Sequence, residues 1–296
     1  MIRAHPGQAM ISAVFLYNPA AGRFPLSERR RNSLVEYLYC NGIRCEVVAS
    51  RPSGDPASWL DLKGRDLLIV YGGDGTLHQA MSEVVEQKVP VALLPAGTTN
   101  VLARELKIPR DPERALSVVV RRKLRRIYLG QGNGEYFHLM AGIGLDGDAL
   151  SRIKTSLKHT LGMGAYYLAT AISLLKYPMR PFEVELEGET HRGTFAVIGN
   201  ARSYGGHLLV TPGARLEENS LDVCIFTGCS RIRYLAYILG TISGRHIHYP
   251  DVLYRKVRQV SISADPSIPV QMDGDLIGHG SIEFSSYGEG IEVVVP

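Results

Sequence analysis

The chain is poor in the residues and motifs that would classify it at a glance. It has four cysteines and one tryptophan in 296 residues. Cys40 and Cys45 lie far from Cys224 and Cys229, and no histidine cluster accompanies either pair, which argues against a zinc site. Cys224 sits in an apolar strand pattern (LDVCIF), so reduced structural thiols and a reducing compartment are expected. The N-terminus has no charged segment leading into an apolar core of signal-peptide length, and the expected location is cytoplasmic. The longest apolar stretch, Leu161 to Tyr177, contains two early glycines and barely reaches spanning length; it reads as a buried or interfacial helix. There is no G-x-x-x-x-G-K-[ST], which excludes a P-loop protein, and no G-x-G-x-x-G follows the first strand, which weakens an ordinary dinucleotide fold. Neither sign of charge dominates, with 33 Lys and Arg against 29 Asp and Glu. A net charge of +4 suits anionic ligands or a negative membrane surface but is too weak to argue for nucleic acid. The basic runs Arg29–Arg31 and Arg121–Arg126 read as solvated faces first and as contacts to phospholipid head groups second.

What is present is organised in two parts, as the length suggests. Residues 1–125 alternate apolar strands with helical patterns: strands at Ser12–Tyr17, Ile43–Ala49, Asp66–Tyr71 and Val91–Leu94, helices at Glu28–Asn41, at His78–Gln87 and from Val101 to Leu106. Strands this apolar, separated by helices, predict an α/β domain with a parallel sheet covered on both faces. Residues 126–296 instead show short strands with turn residues between them, several alternating apolar with polar. They include Arg125–Leu129, Tyr136–Ala141, Leu221–Phe226, Arg255–Ile262, Ser281–Ser285 and Ile291–Val295. That pattern predicts an antiparallel β-sandwich-like domain, interrupted by helices at about 151–177 and 230–243, with the last strand free to return toward the first domain.

Chemistry concentrates in loops that follow strands. Gly72, Gly73, Asp74, Gly75 and Thr76 end one strand and open a helix, where glycines let the backbone approach a ligand closely and free N–H groups suit a phosphate. Pro95 to Asn100, with Gly97, Thr98 and Asn100, stands in the same position after the next strand and offers further donors, or else a capped turn with Thr98 or Thr99 as N-cap. Asn18, Pro19, Ala20, Ala21 and Gly22 form a third, weaker strand-ending loop. Ligands in such sheets bind beyond the carboxyl ends of the strands, where all three loops fall. Late in the chain Asp273, Gly274 and Asp275 follow a short strand; they read either as a tight Asp-Gly hairpin or as a general base with a second carboxylate beside it.

NPAAG, GGDGT, PAGTTN and the late DGD, in this order, resemble the diacylglycerol kinase catalytic family, which includes bacterial lipid kinases and sphingosine and ceramide kinases. The likeness continues through AGIGLD (141–146), NARSYGG (200–206) and TPGARLEE (211–218). It implies a two-domain kinase that transfers the γ-phosphoryl group of ATP to a lipid hydroxyl, with diacylglycerol as the first candidate. It also implies peripheral membrane contact during turnover, no nucleic-acid partner, and leaves homodimer formation open. ATP would lie over Asn18–Gly22, Gly72–Thr76 and Thr98, with Mg²⁺ near Asp74; Asp275 matches the position of the proton acceptor, with Asp273 beside it. Asp146 and Asp148 fall where related kinases recognise the lipid's polar head, and the Leu161–Tyr177 segment could line an acyl-chain channel. Three departures stand out. Asp275 replaces the usual Glu and is about one bond (~1.5 Å) shorter in reach. Glu218 and Asn219 replace an Asp-Gly turn that holds a structural Mg²⁺ in bacterial members, leaving Glu218 with main-chain oxygens of Arg215 and Ser220 as the candidate ligands. Tyr128 stands where many bacterial members carry an acid at the start of the second domain. NAD kinase, which shares GGDGT but not GTTN, is the first rival; a catalytically silent nucleotide or lipid sensor is the second.

Overall fold

A computed structural model of the chain describes residues 10–20, 26–51, 56–151, 172–205 and 208–296. Ala21 and Gly22, and the Leu161–Tyr177 segment up to residue 171, lie outside the described residues. The chain divides into two compact units, one made of Met1–Ile127 and Gly290–Pro296, the other of Tyr128–Glu289. No helix among the described residues is long and apolar enough to cross a membrane.

In the first unit β1 (Ile11–Tyr17), β2 (Ile43–Ala49), β3 (Leu67–Gly72), β4 (Val91–Pro95) and the end of β16 (Ile282–Val295) form a parallel sheet in the order β2-β1-β3-β4-β16. Every residue of β3 and β4 is buried, as strands covered on both faces require. Helix α1 (Glu28–Cys40) starts where the Ser27 hydroxyl accepts from the Arg30 amide, and α5 (Pro112–Arg121) where the Asp111 carboxylate accepts from Arg114. The expected single helix His78–Gln87 is two, α2 (Asp74–Gln79) and α3 (Met81–Gln87), with a turn at Ala80. It also begins earlier, because Thr76 and Leu77 donate to the Gly73 carbonyl and turn the tail of the glycine loop into the first helical turn. Val101–Glu105 is α4.

The second unit is antiparallel. One sheet runs β12 (Val252–Val257), β11 (Leu221–Phe226), β10 (Phe195–Gly199), β7 (Met140–Ile143), β14 (Pro269–Met272), β15 (Asp275–His279). The other pairs the start of β16 with β13 (Gln259–Ser263), β8 (Phe182–Leu186) and β9 (Glu189–Gly193), and the end of β5 (Lys123–Gly132) with β6 (Glu135–Phe137). Inward residues of both sheets, among them Ile198, Val223, Val260, Val270 and Phe284, share one core with Phe137. Three boundaries differ from expectation. Tyr136–Ala141 is two strands, because a buried carboxylate described below takes the amides of residues 138–140. Arg255–Ile262 is likewise divided between β12 and β13. Ser281–Ser285 and Ile291–Val295 are parts of one 14-residue strand. Leu145–Ser151 forms α6, and the Arg231–Ser243 helix follows β11.

Candidate active site

The register of β1, β3 and β4 sets Tyr17 beside Tyr71, and Gly72 beside Pro95, so the three loops leave the sheet side by side. They are also bonded together. Asn18 Nδ2 donates to Thr76 Oγ1 at 3.4 Å while its Oδ1 accepts from the Ala20 amide at 2.8 Å. Pro19 and Ala20 are exposed.

The glycines divide into two kinds. A Cβ on Gly97 would stand 2.5 Å from the Gly73 Cα, and one on Gly72 2.4 Å from Thr76 Oγ1, so these glycines let protein backbone meet protein. Gly75 is exposed, and a Cβ there would meet nothing within 4 Å. Packing within the protein gives no reason for glycine at 75; an external group approaching the backbone does. Asp74 turns toward the neighbouring loop. Its carboxylate accepts from Val101 N at 2.9 Å, Leu102 N at 3.1 Å and Thr99 Oγ1 at 3.2 Å. It therefore caps α4, a task expected of Thr98 or Thr99, and it takes the α4 amides that the sequence offered to a phosphate. Asn100, the residue before α4, adopts a left-handed conformation and closes on Gly97 in both directions, at 2.8 and 3.0 Å. Thr98 alone of this loop is exposed.

In the second unit the DGD segment is a two-residue hairpin between β14 and β15, with positive φ at both Asp273 (47°) and Gly274 (90°), as a type I′ turn demands. The two aspartates have different surroundings. The Asp273 side chain is fully buried; its oxygens accept from His138 N (2.7 Å), Leu139 N (2.9 Å) and Met140 N (3.0 Å), and His138 Nδ1 lies 2.7 Å away. Asp275 is exposed. Between them and Asp146 stands Gln271, a residue sequence reasoning gave no role. Its buried side chain accepts from the Gly274 amide at 3.0 Å and donates to Asp146 Oδ2 at 2.7 Å. Tyr204 adds its hydroxyl to the Asp146 carboxylate at 2.6 Å. Asp146 is buried, whereas Asp148, on the same short helix α6, is half-buried. A glutamine in the strand pattern PVQM was the available signal: a buried amide in an apolar strand must have partners.

The candidate structural metal site does not fit a cation. The Glu218 carboxylate is bonded to the Lys256 ammonium, with Arg215 Nε at 3.5 Å on its other oxygen, and Lys256 Nζ also lies 3.6 Å from the buried Asp222. The Arg215 carbonyl accepts from the Glu218 amide at 3.0 Å, and Ser220 donates to the Glu218 carbonyl at 2.9 Å. A divalent ion at Glu218 would meet two cationic side chains. Arg215, Glu218 and Ser220, the expected metal ligands, lie in an ion-pair cluster in which Lys256 brings a positive charge to the Glu218 carboxylate. Protonation follows: the hydrogen bond from Lys256 holds Glu218 below the usual carboxylate range. Burial lowers the Lys256 ammonium, but its bond to Glu218 and the Asp222 charge outweigh that and leave it raised. Burial also raises Asp222, against the hydrogen bond from Tyr254.

A parallel α/β unit with three bonded loops at one sheet edge, followed by an antiparallel sandwich carrying an exposed carboxylate on a hairpin, defines a two-domain kinase architecture. Residues 12–132 match the diacylglycerol kinase catalytic domain, and residues 140–295 match the YegS C-terminal NAD kinase beta sandwich-like domain. The chain is 29% identical over 297 residues to a diacylglycerol kinase of Bacillus subtilis (strain 168), covering 97% of each. It is 30% identical over 243 residues to one of Mycobacterium tuberculosis (strain H37Rv), covering 79% of this chain and 78% of that protein. A diacylglycerol kinase structure from Bacillus anthracis shares the fold, with a TM-score of 0.76 over 98% of each chain at 19% identity. The chain belongs to the diacylglycerol kinase family, and it is a kinase.

Proposed function

We propose that the chain transfers the γ-phosphoryl group of ATP to the hydroxyl of a membrane lipid, with diacylglycerol as the acceptor its relatives' names favour. The observation that carries the reading is the division of labour within DGD. Asp273 is buried with both oxygens on backbone amides, whereas Asp275 stands exposed on the same hairpin, and we assign it the acceptor hydroxyl's proton. Gly75, with open space where a side chain would be, and the exposed Thr98 provide the phosphate-facing surface, while Asn18 joins the first loop to it. Bound with its Mg²⁺, ATP supplies the phosphoryl group and a partly neutralised leaving group. Asp74 acts by positioning, since its carboxylate holds the Pro95–Asn100 loop and the start of α4 against the Gly72–Thr76 loop. Asp146, fixed by Tyr204 and Gln271, is tied through Gln271 to the Asp275 turn and serves as an orienting group for the lipid head; Asp148 lies on the same helix. Catalysis of this kind rests on placement and electrostatics rather than covalent chemistry.

The test is phosphorylation by the purified chain with labelled ATP and diacylglycerol in detergent micelles, with NAD as the control acceptor. Labelled phosphatidic acid is expected, lowered about 10²–10⁴-fold by Asp275→Asn at unchanged melting temperature. Labelling of NAD instead would establish the rival kinase activity, and no labelling of either acceptor would remove diacylglycerol as the substrate.

A further inference from the structure

The Arg231–Ser243 helix hides its polar aromatics and exposes its aliphatics. Tyr234, Tyr237 and Thr241 are buried, and Gly240 fits against His246 and Tyr249. On the outer side Ile232 is 84% exposed, Leu235 49%, Leu239 59% and Ile242 59%. Spacings of three, four and three place these four on one stripe along the whole helix. Leu175, 66% exposed, joins the patch, its carbonyl accepting from Arg231 Nε at 3.0 Å. The described residues include eleven exposed large hydrophobics, and five of them are these; such clustering marks an interaction surface rather than scattered exposure.

Charge decides what the surface fits. From Thr227 to Pro250 the sequence has no acidic residue. Arg231, the first residue of the helix, and Arg245, just past its Gly244 cap, are both exposed, and the exposed Lys176 follows Leu175 in the chain. Arg233 is paired with Asp251, so among the described residues near the stripe Arg231, Arg245 and Lys176 carry the exposed positive charge. A second copy of the chain is a poor occupant: two such helices paired antiparallel would set Arg231 of one copy against Arg245 of the other, with no carboxylate on the stripe to relieve it. We propose that this face lies on an anionic bilayer surface, aliphatic side chains at the head-group boundary and arginines at lipid phosphates. The proposal rests on the lipid-kinase reading and names the surface through which the enzyme meets its substrate's membrane.

The experiment uses the full chain with sedimenting vesicles of phosphatidylcholine, with or without phosphatidylglycerol. Wild type is expected to sediment with the anionic vesicles and to be released by raised salt. Leu235→Glu/Leu239→Glu, both at exposed positions, should weaken that binding at least tenfold. Arg231→Gln/Arg245→Gln should abolish the preference for anionic vesicles. Both variants should keep the wild-type melting temperature and wild-type phosphorylation of diacylglycerol in detergent micelles. Vesicle binding unchanged in the glutamate variant overturns the docking surface. So does a change from dimer to monomer by light scattering without loss of vesicle binding. Absence of micellar activity in wild type overturns the diacylglycerol reading instead, which keeps the two failures apart.

Discussion

Two aspartates two residues apart, Asp273 and Asp275, have opposite fates because of one backbone conformation. The left-handed φ of Asp273 turns its side chain inward onto three amides, and the hairpin then returns Asp275 to the surface. Asp273→Asn puts an NH₂ group against backbone donors, and a loss of about 1–3 kcal/mol in stability is expected from urea denaturation. Asp275→Asn should leave that midpoint in place. Lys256 poses the same question of charge in another form. Its ammonium lies between Glu218 and Asp222, where a cation is needed because Asp222 is only 2% exposed. Wild type should therefore show no Mg²⁺-dependent shift in melting temperature when no nucleotide is present. Lys256→Ala should melt lower, and Mg²⁺ should restore part of the difference by entering the carboxylate pair the lysine has left. A wild-type shift equal to the variant's would show that the lysine does not fill the role.

Among the elements, α4 is five residues long, below the length at which a helix is stable by itself, and it depends on the Asp74 carboxylate for its first amides. The two glycine loops touch where Gly73 meets Gly97. Gly97→Ala forces a Cβ to within 2.5 Å of the Gly73 Cα and should cost about 1–3 kcal/mol of stability. Gly75→Ala should melt like wild type yet bind ATP more weakly, by calorimetric titration; equal ATP affinity would remove Gly75 from the nucleotide site. The Arg231–Ser243 helix is anchored by a pair that senses acid. Arg233, donating to Asp251 and stacked on Tyr237 and Tyr249, holds the carboxyl at about 2, with help from the Tyr237 hydroxyl and against the effect of burial. The folded value lies below the unfolded one near 4. The pair's stabilisation is therefore complete above about pH 4 and is lost as pH falls from there toward 2. The melting-temperature gap between wild type and Asp251→Asn should be full near pH 6 and close as the pH falls below about 4.

For the molecule as a whole, the sequence alone revealed the α/β and antiparallel units, their loops and their family. Apolar runs of period one and two state which strands are covered on both faces, and strand-ending glycines mark the sheet edge. Helix α5 is legible in Asp111-Pro112, an N-cap followed by proline at the first helical position, with the basic run Arg121–Arg126 beginning at its last residue. Other matters depended on residues far apart in the chain. The Asp273 carboxylate meets amides 133–135 residues away, Asp74 meets amides 27 and 28 residues away, and Glu218 meets Lys256. The exposed stripe on the Arg231–Ser243 helix belongs with these, because its spacing equally suits a helix buried on both sides. A motif determines which groups are present and the local turn that carries them. Which lone pairs are already taken, and which apolar face is left uncovered, depends on contacts across the fold that no local pattern encodes, and in this kinase those contacts separate Asp275 from Asp273 and bring Lys256 to Glu218.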